Sequence, residues 1–87
     1  MNILFSSHAW DDYLYWQKTD KGLLKKINRL IEATVRQPFE GIGKPEPLKF
    51  EYAGYWSRRI DLEHRLVYKV EGETLTIVAC RYHYDRD

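Results

Sequence analysis

The chain has 87 residues, of which 44% are hydrophobic, 15% aromatic and 31% charged, with a net charge of +1. That length supports one small domain, residues 1–87, burying only about 60–65% of its unfolded surface, so self-association into a homodimer is expected. Cys80 stands alone, which excludes an internal disulfide and fits a reducing compartment, and the three histidines lack ligand spacing, so neither metal nor cofactor is expected. The opening Met1-Asn2-Ile3-Leu4-Phe5 is too short for a signal peptide or a membrane span, and a cytoplasmic location is expected.

Asn2 to Phe5 reads as a short strand with Ile3 and Phe5 on one side. Ser6 or Ser7 can cap the next helix, roughly His8 to Lys18, where Trp10, Tyr13, Leu14 and Gln17 recur at helical spacing. Thr19-Asp20 breaks that pattern and supplies a second cap. The following helix runs to about Gln37: Leu23, Leu24, Ile27, Leu30, Ile31, Thr34 and Val35 form its apolar stripe, and Pro38 ends it. So tight a joint makes the two helices an antiparallel pair.

Phe39 to Pro47 is a shaped loop punctuated by Gly41, Gly43, Pro45 and Pro47. Its Gly41-Ile42-Gly43 lacks the further glycine and the preceding strand of a dinucleotide fingerprint, so a nucleotide cradle is rejected. Tyr55 to Ile60 and His64 to Val70 are the arms of a hairpin. Parity sends Trp56, Ile60, Leu66, Tyr68 and Val70 to one face and leaves Arg59 and Arg65 on the other. Gly72 then turns the chain into a last strand, Thr74 to Arg81. Short links imply mainly antiparallel pairing. The expected fold is α+β in two layers, with the helix pair on one sheet face and the other left as a concave, arginine-bearing surface.

The charge is unevenly placed. Lys21, Lys25, Lys26, Arg29 and Arg36 face only Glu32 in the second helix, and Arg58, Arg59, Arg65 and Lys69 outnumber Asp61 and Glu63 in the hairpin. Such faces suit a polyanion, although a charge run of this kind is more often plain solvated surface. Toward the open face the loop brings Glu46, with Lys44 and Lys49 nearby; the hairpin brings Arg59 and Arg65; the last strand delivers His83. A carboxylate, an imidazole and fixed cations are what metal-free RNA cleavage requires. The carboxylate takes the 2′-hydroxyl proton, the imidazolium protonates the leaving 5′-oxygen, and the guanidinium groups offset charge on the phosphorane-like transition state. On these residues alone, Glu46 reads more readily as a loop ion pair and His83 as an exposed ring. His8 and His64 are read as structural.

Several runs, taken in order, resemble one family. They are Trp10-Asp11-Asp12-Tyr13 with Tyr15-Trp16, Pro38-Phe39-Glu40-Gly41 to Lys44-Pro45-Glu46-Pro47-Leu48-Lys49, Trp56-Ser57-Arg58-Arg59-Ile60, Glu63-His64-Arg65-Leu66-Val67-Tyr68 and Cys80-Arg81-Tyr82-His83-Tyr84. Over residues 1–84 the chain resembles the YoeB (Txe/YoeB) toxins of bacterial toxin–antitoxin pairs, in the RelE superfamily. The resemblance implies a RelE-like, microbial-RNase-like fold and metal-independent endoribonuclease activity on mRNA in the A site of the 70S ribosome. It implies a YefM-like antitoxin as partner, with operator DNA reached only through that antitoxin. Carried over by position, Glu46 is implied as general base and His83 as general acid. Arg65 is implied as phosphate stabiliser, Lys49 and Arg59 as its support, and Tyr84 as the group orienting the substrate. The residues Asp85-Arg86-Asp87 depart from the usual ending of such toxins. The competing expectation is a non-catalytic module that blocks translation by occupying the ribosome, or acts as an antitoxin-bound co-repressor.

Overall fold

The computed structural model describes residues 1–82, so His83 and Tyr84 lie outside the described residues. In chain order the elements are β1 (Asn2–Phe5), α1 (Ser7–Thr19), α2 (Lys21–Arg36), β2 (Glu46–Pro47), a 3₁₀ turn (Phe50–Tyr52), β3 (Trp56–Arg59), β4 (Arg65–Glu71) and β5 (Thr74–Ala79). The Ser6 hydroxyl accepts from the Ala9 N–H and starts α1. Asp20 then does two jobs. Its backbone N–H donates to the Trp16 carbonyl, closing α1, and its carboxylate accepts from the Leu23 N–H, opening α2. The Tyr13 hydroxyl donates to the Asn28 side-chain oxygen at 2.8 Å. Those two residues lie at near-equal offsets on either side of Asp20, as an antiparallel helix pair requires.

The five strands run in the order β1-β5-β4-β3-β2. β1 lies parallel to β5, and the other pairs are antiparallel. A parallel neighbour needs a crossover, and here nearly the whole chain intervenes. One sheet face buries Ile60, Leu66, Tyr68, Leu75 and Ile77 against Ala9 and Trp16 of α1 and Ile27, Leu30 and Ile31 of α2. Thr34, at a stripe position, is also fully buried, and its hydroxyl donates to the Leu30 carbonyl. No helix among the described residues is long and apolar enough to cross a membrane.

Parity also sends Arg58 to this apolar face, between Trp56 and Ile60, and it is fully buried. Its guanidinium donates to the carbonyls of Gln37, Glu40 and Ile42, and its Nε to the Tyr68 hydroxyl at 3.3 Å. Tyr68 in turn donates to the Pro38 carbonyl at 2.6 Å. Gln37 is the C-cap of α2, so the buried cation sits where helix carbonyls lack partners and the helix dipole is negative. Gly41 and Gly43, already rejected as a nucleotide cradle, serve this contact instead. A Cβ on Gly41 would lie 3.5 Å from the Arg58 Nη1. One on Gly43, where φ is +82°, would lie 2.8 Å from Leu30 and 3.1 Å from the Arg58 Cβ. The loop is thereby drawn down onto β3, where the Arg59 N–H donates to the Gly43 carbonyl at 2.6 Å.

Cys80 follows β5 directly and is fully buried. Its N–H donates to an Asp12 carboxylate oxygen at 3.0 Å. Burial, aided by the Asp12 charge, pushes the thiol up from its ordinary 9.0 to about 12. The folded chain therefore prefers the neutral thiol. The associated stability is complete below pH 9 and is lost as the pH climbs toward 12.

Arg58→Met should lower the unfolding free energy by about 3–5 kcal/mol by stranding the loop carbonyls, and Gly43→Ala by about 2 kcal/mol, both read by urea titration. Arg58→Lys should not rescue, because one ammonium cannot span the fork of acceptors. The urea midpoint of the unsubstituted chain should hold steady to about pH 9 and fall above it. Cys80→Ala should flatten part of that fall. Tyr68, raised above its ordinary 10.0 by burial against the opposing pull of Arg58, should supply the remainder.

Candidate functional site

On the sheet face away from the helices, register aligns the candidate residues. Glu46 pairs with Ser57, Ser57 with Val67 and Val67 with Ala79, while Arg59 pairs with Arg65 one step along the same face. Two strand spacings and one two-residue step separate Glu46 from Arg65, roughly 12 Å between Cα atoms, a gap that two long side chains and a bound phosphodiester can fill. Glu46 and Arg59 are exposed and Arg65 is half-buried. The Arg65 Nη1 donates to the carbonyls of Asp61 at 2.8 Å and His64 at 3.1 Å, so the turn between β3 and β4 steadies its side chain. In that turn burial raises the Asp61 carboxyl, but N–H donation from His64 and Glu63 more than offsets it, and the group ends below its ordinary value. Lys49 is exposed at the start of the 3₁₀ turn.

The face is less open than the strand pattern implies. Ser57 and Val67 are buried. Val67 borders a groove of about 490 Å³ whose walls include Glu51, Tyr52 and Tyr55 from the β2–β3 connection and Arg81 and Tyr82 from the far side. The register slips between Val67 and Tyr68, leaving Val78 as an extra residue in β5, a bulge that bends the strand just before the C-terminal segment. Lys44, Phe50 and Tyr82 adopt φ values of 50°, 57° and 65°. Each such non-glycine residue costs on the order of 1–3 kcal/mol, held by its surroundings. All three lie in the segments that frame this face.

The C-terminal segment is tied down residue by residue. Asp12 receives the Cys80 N–H, and the Trp16 Nε1 donates to the Cys80 carbonyl at 2.9 Å. The Arg81 guanidinium lies 3.5 Å from the Tyr15 ring centre and 4.5 Å from that of Tyr82, a stacked cation that also lines the groove. The Tyr82 N–H donates to the His64 Nδ1 at 2.7 Å, and its carbonyl accepts from the Arg65 N–H at 3.1 Å. Tyr82, the residue before His83, is therefore held beside the Arg65 backbone. Of the residues singled out from sequence, Glu46, Arg59 and Arg65 share one face, whereas His83 and Tyr84 are outside the described residues.

Asp12, His64 and Arg81 carried no part in the sequence reading of the site. For Asp12 a signal existed: it sits one turn before Trp16, so a carboxylate shares the buried helix face and needs a donor. Among the described residues no three His, Cys, Asp or Glu side chains gather as metal ligands.

Comparison with known proteins places this arrangement. The profile of a family described as YoeB-like toxin of bacterial type II toxin-antitoxin system matches residues 5–84. Toxin YoeB of Escherichia coli K12 is 63% identical over 84 residues, covering 97% of this chain and all of that one. A structure of a YoeB/ParE toxin from Agrobacterium tumefaciens superposes with a TM-score of 0.94 at 52% identity, covering 97% of this chain and 100% of the other. YoeB of Staphylococcus aureus, solved as a dimer, gives 0.90 at 52% identity over 97% and 98% of the two chains. It has also been solved as a heterotetrameric complex with YefM, with a TM-score of 0.89 over the same shares. YafQ of Escherichia coli, 21% identical, shares the fold at 0.80 over 94% of this chain and 92% of its own. The chain thus has the α+β fold of the RelE-like toxins, and it belongs to the family of YoeB-like toxins of bacterial type II toxin–antitoxin systems.

Proposed function

We propose that the chain is a metal-independent endoribonuclease that cuts mRNA in the ribosomal A site and so arrests translation. The observation that carries this reading is the shared placement of Glu46, Arg59 and Arg65 on one strand face, with the backbone of Arg65 gripping the segment that leads into His83. Glu46 takes the proton of the ribose 2′-hydroxyl, whose oxygen attacks the adjacent phosphorus. The bond to the 5′-oxygen breaks, and His83 gives that oxygen its proton. Arg65, supported by Arg59 and Lys49, balances the added charge on the phosphoryl oxygens, and Tyr84 orients the base or ribose. The products are a 2′,3′-cyclic phosphate and a free 5′-hydroxyl.

The partners follow from the same surface. A YefM-like antitoxin, as in the Staphylococcus aureus complex, binds through a disordered acidic-and-apolar segment that neutralises the arginine face, and operator DNA is met only through it. The Staphylococcus aureus dimer supports a homodimer here too, and on this reading the protein acts on the 70S ribosome in the cytoplasm. A non-catalytic blocker of the ribosome needs the cations but not the acid–base pair.

That difference is the test. With mRNA-loaded ribosomes, Glu46→Gln and His83→Gln should each slow the appearance of 5′-hydroxyl fragments by about 10²–10⁴-fold, with thermal unfolding unchanged. Wild-type cleavage by either variant would remove that residue from its role. Translation arrest with intact mRNA would favour the blocker.

A further inference from the structure

We propose that His64 is a positioning residue for the reaction: its Nδ1 clamps the backbone of Tyr82, the residue that directly precedes His83. This rests on the ribonuclease reading and adds to it a group that touches neither substrate nor reacting atoms.

His64 is itself held rigidly. It is only 8% exposed, between an exposed Glu63 and a half-buried Arg65. Its N–H donates to the Asp61 carboxylate at 2.7 Å, and its carbonyl accepts from the Ile60 N–H at 3.0 Å. The ring stands edge-on to Trp16, centre to centre 4.8 Å. Because Nδ1 accepts the Tyr82 N–H, it carries no proton, and the ring proton sits on Nε2, 3.6 Å from the Glu63 carboxylate.

The strain at Tyr82 is the independent observation. Its φ of 65° lies in the left-handed region, which a tyrosine enters only where the surroundings impose it. The two bonds that impose it come from adjacent residues: the His64 Nδ1 on one side and the Arg65 N–H on the other. Arg65 is the proposed phosphate ligand, so the clamp and the anion site share one stretch of backbone. A histidine that merely filled space would need shape alone. This one needs an acceptor at one particular ring atom.

The full-length chain carrying His64→Asn or His64→Gln separates these roles. Asparagine places its carbonyl oxygen near the former Nδ1, whereas glutamine places its oxygen near the former Nε2. On mRNA-loaded ribosomes the Asn variant should keep kcat within about threefold of wild type, while the Gln variant loses on the order of 10²-fold in kcat with KM nearly unchanged. Hydrogen exchange at the Tyr82 amide should stay slow in the Asn variant and become fast in the Gln variant. Equal kcat in the two variants, at whatever level, would overturn the proposal, as would fast Tyr82 exchange at full kcat. If the unsubstituted chain leaves mRNA whole, the ribonuclease reading fails. The exchange measurement still judges the clamp, which falls if the Tyr82 amide is protected equally in all three chains.

Discussion

The structure depends on a cation placed where none is expected. Arg58 is fully buried in the face that packs against the helices, and its hydrogen bonds reach carbonyls of Gln37, Glu40 and Ile42 and the hydroxyl of Tyr68. Burying a charge is costly unless its hydrogen-bonding capacity is met. Here the loop after α2 meets it with unpaired carbonyls at a helix C-terminus, where the dipole is already negative. The same bonds decide the path of the Phe39–Pro47 loop, and with it the two-residue strand that presents Glu46 to β3. One guanidinium facing inward thus governs a carboxylate facing outward. Its sequence neighbour Arg59 points the opposite way and is exposed.

The other half of the site is set from the N-terminal helix. Asp12 and Trp16, one turn apart on α1, take the N–H and carbonyl of Cys80, and the turn residues His64 and Arg65 take those of Tyr82. Main-chain groups at the end of a strand are thereby partnered without a further strand, which answers the demand that buried backbone polar groups find partners. The arrangement links helix layer, hairpin turn and C-terminal segment through backbone atoms.

Much of this was legible in the sequence, for identifiable reasons. The strand Asn2–Phe5, both helix caps and the α2 stripe were readable because periodicity and capping are local. The hairpin and the common face of Arg59 and Arg65 followed from parity. Three things were not readable. The parallel partner of β1 lies at the far end of the chain, and short-range pattern carries no information about it. Arg58 has the parity of a core residue, but its type argued for solvent, and only the nearby carbonyls resolve that conflict. His64 looked like a turn residue, since nothing local announces an acceptor for an amide eighteen positions later. Sequence order gave the ingredients of the site, and long-range hydrogen bonds gave its geometry.

The parallel pairing of β1 with β5 has a consequence for biosynthesis. β1 is made well before β5, its hydrogen-bonding neighbour, because the paired Asn2 and Thr74 lie far apart along the chain. Until that neighbour is made, the nascent polypeptide displays an incomplete sheet, and the clamp on Tyr82 does not exist. Non-local pairing of this kind is slow to form, and here translation order delays it further. A toxin is in this way kept unassembled for as long as its own synthesis is unfinished.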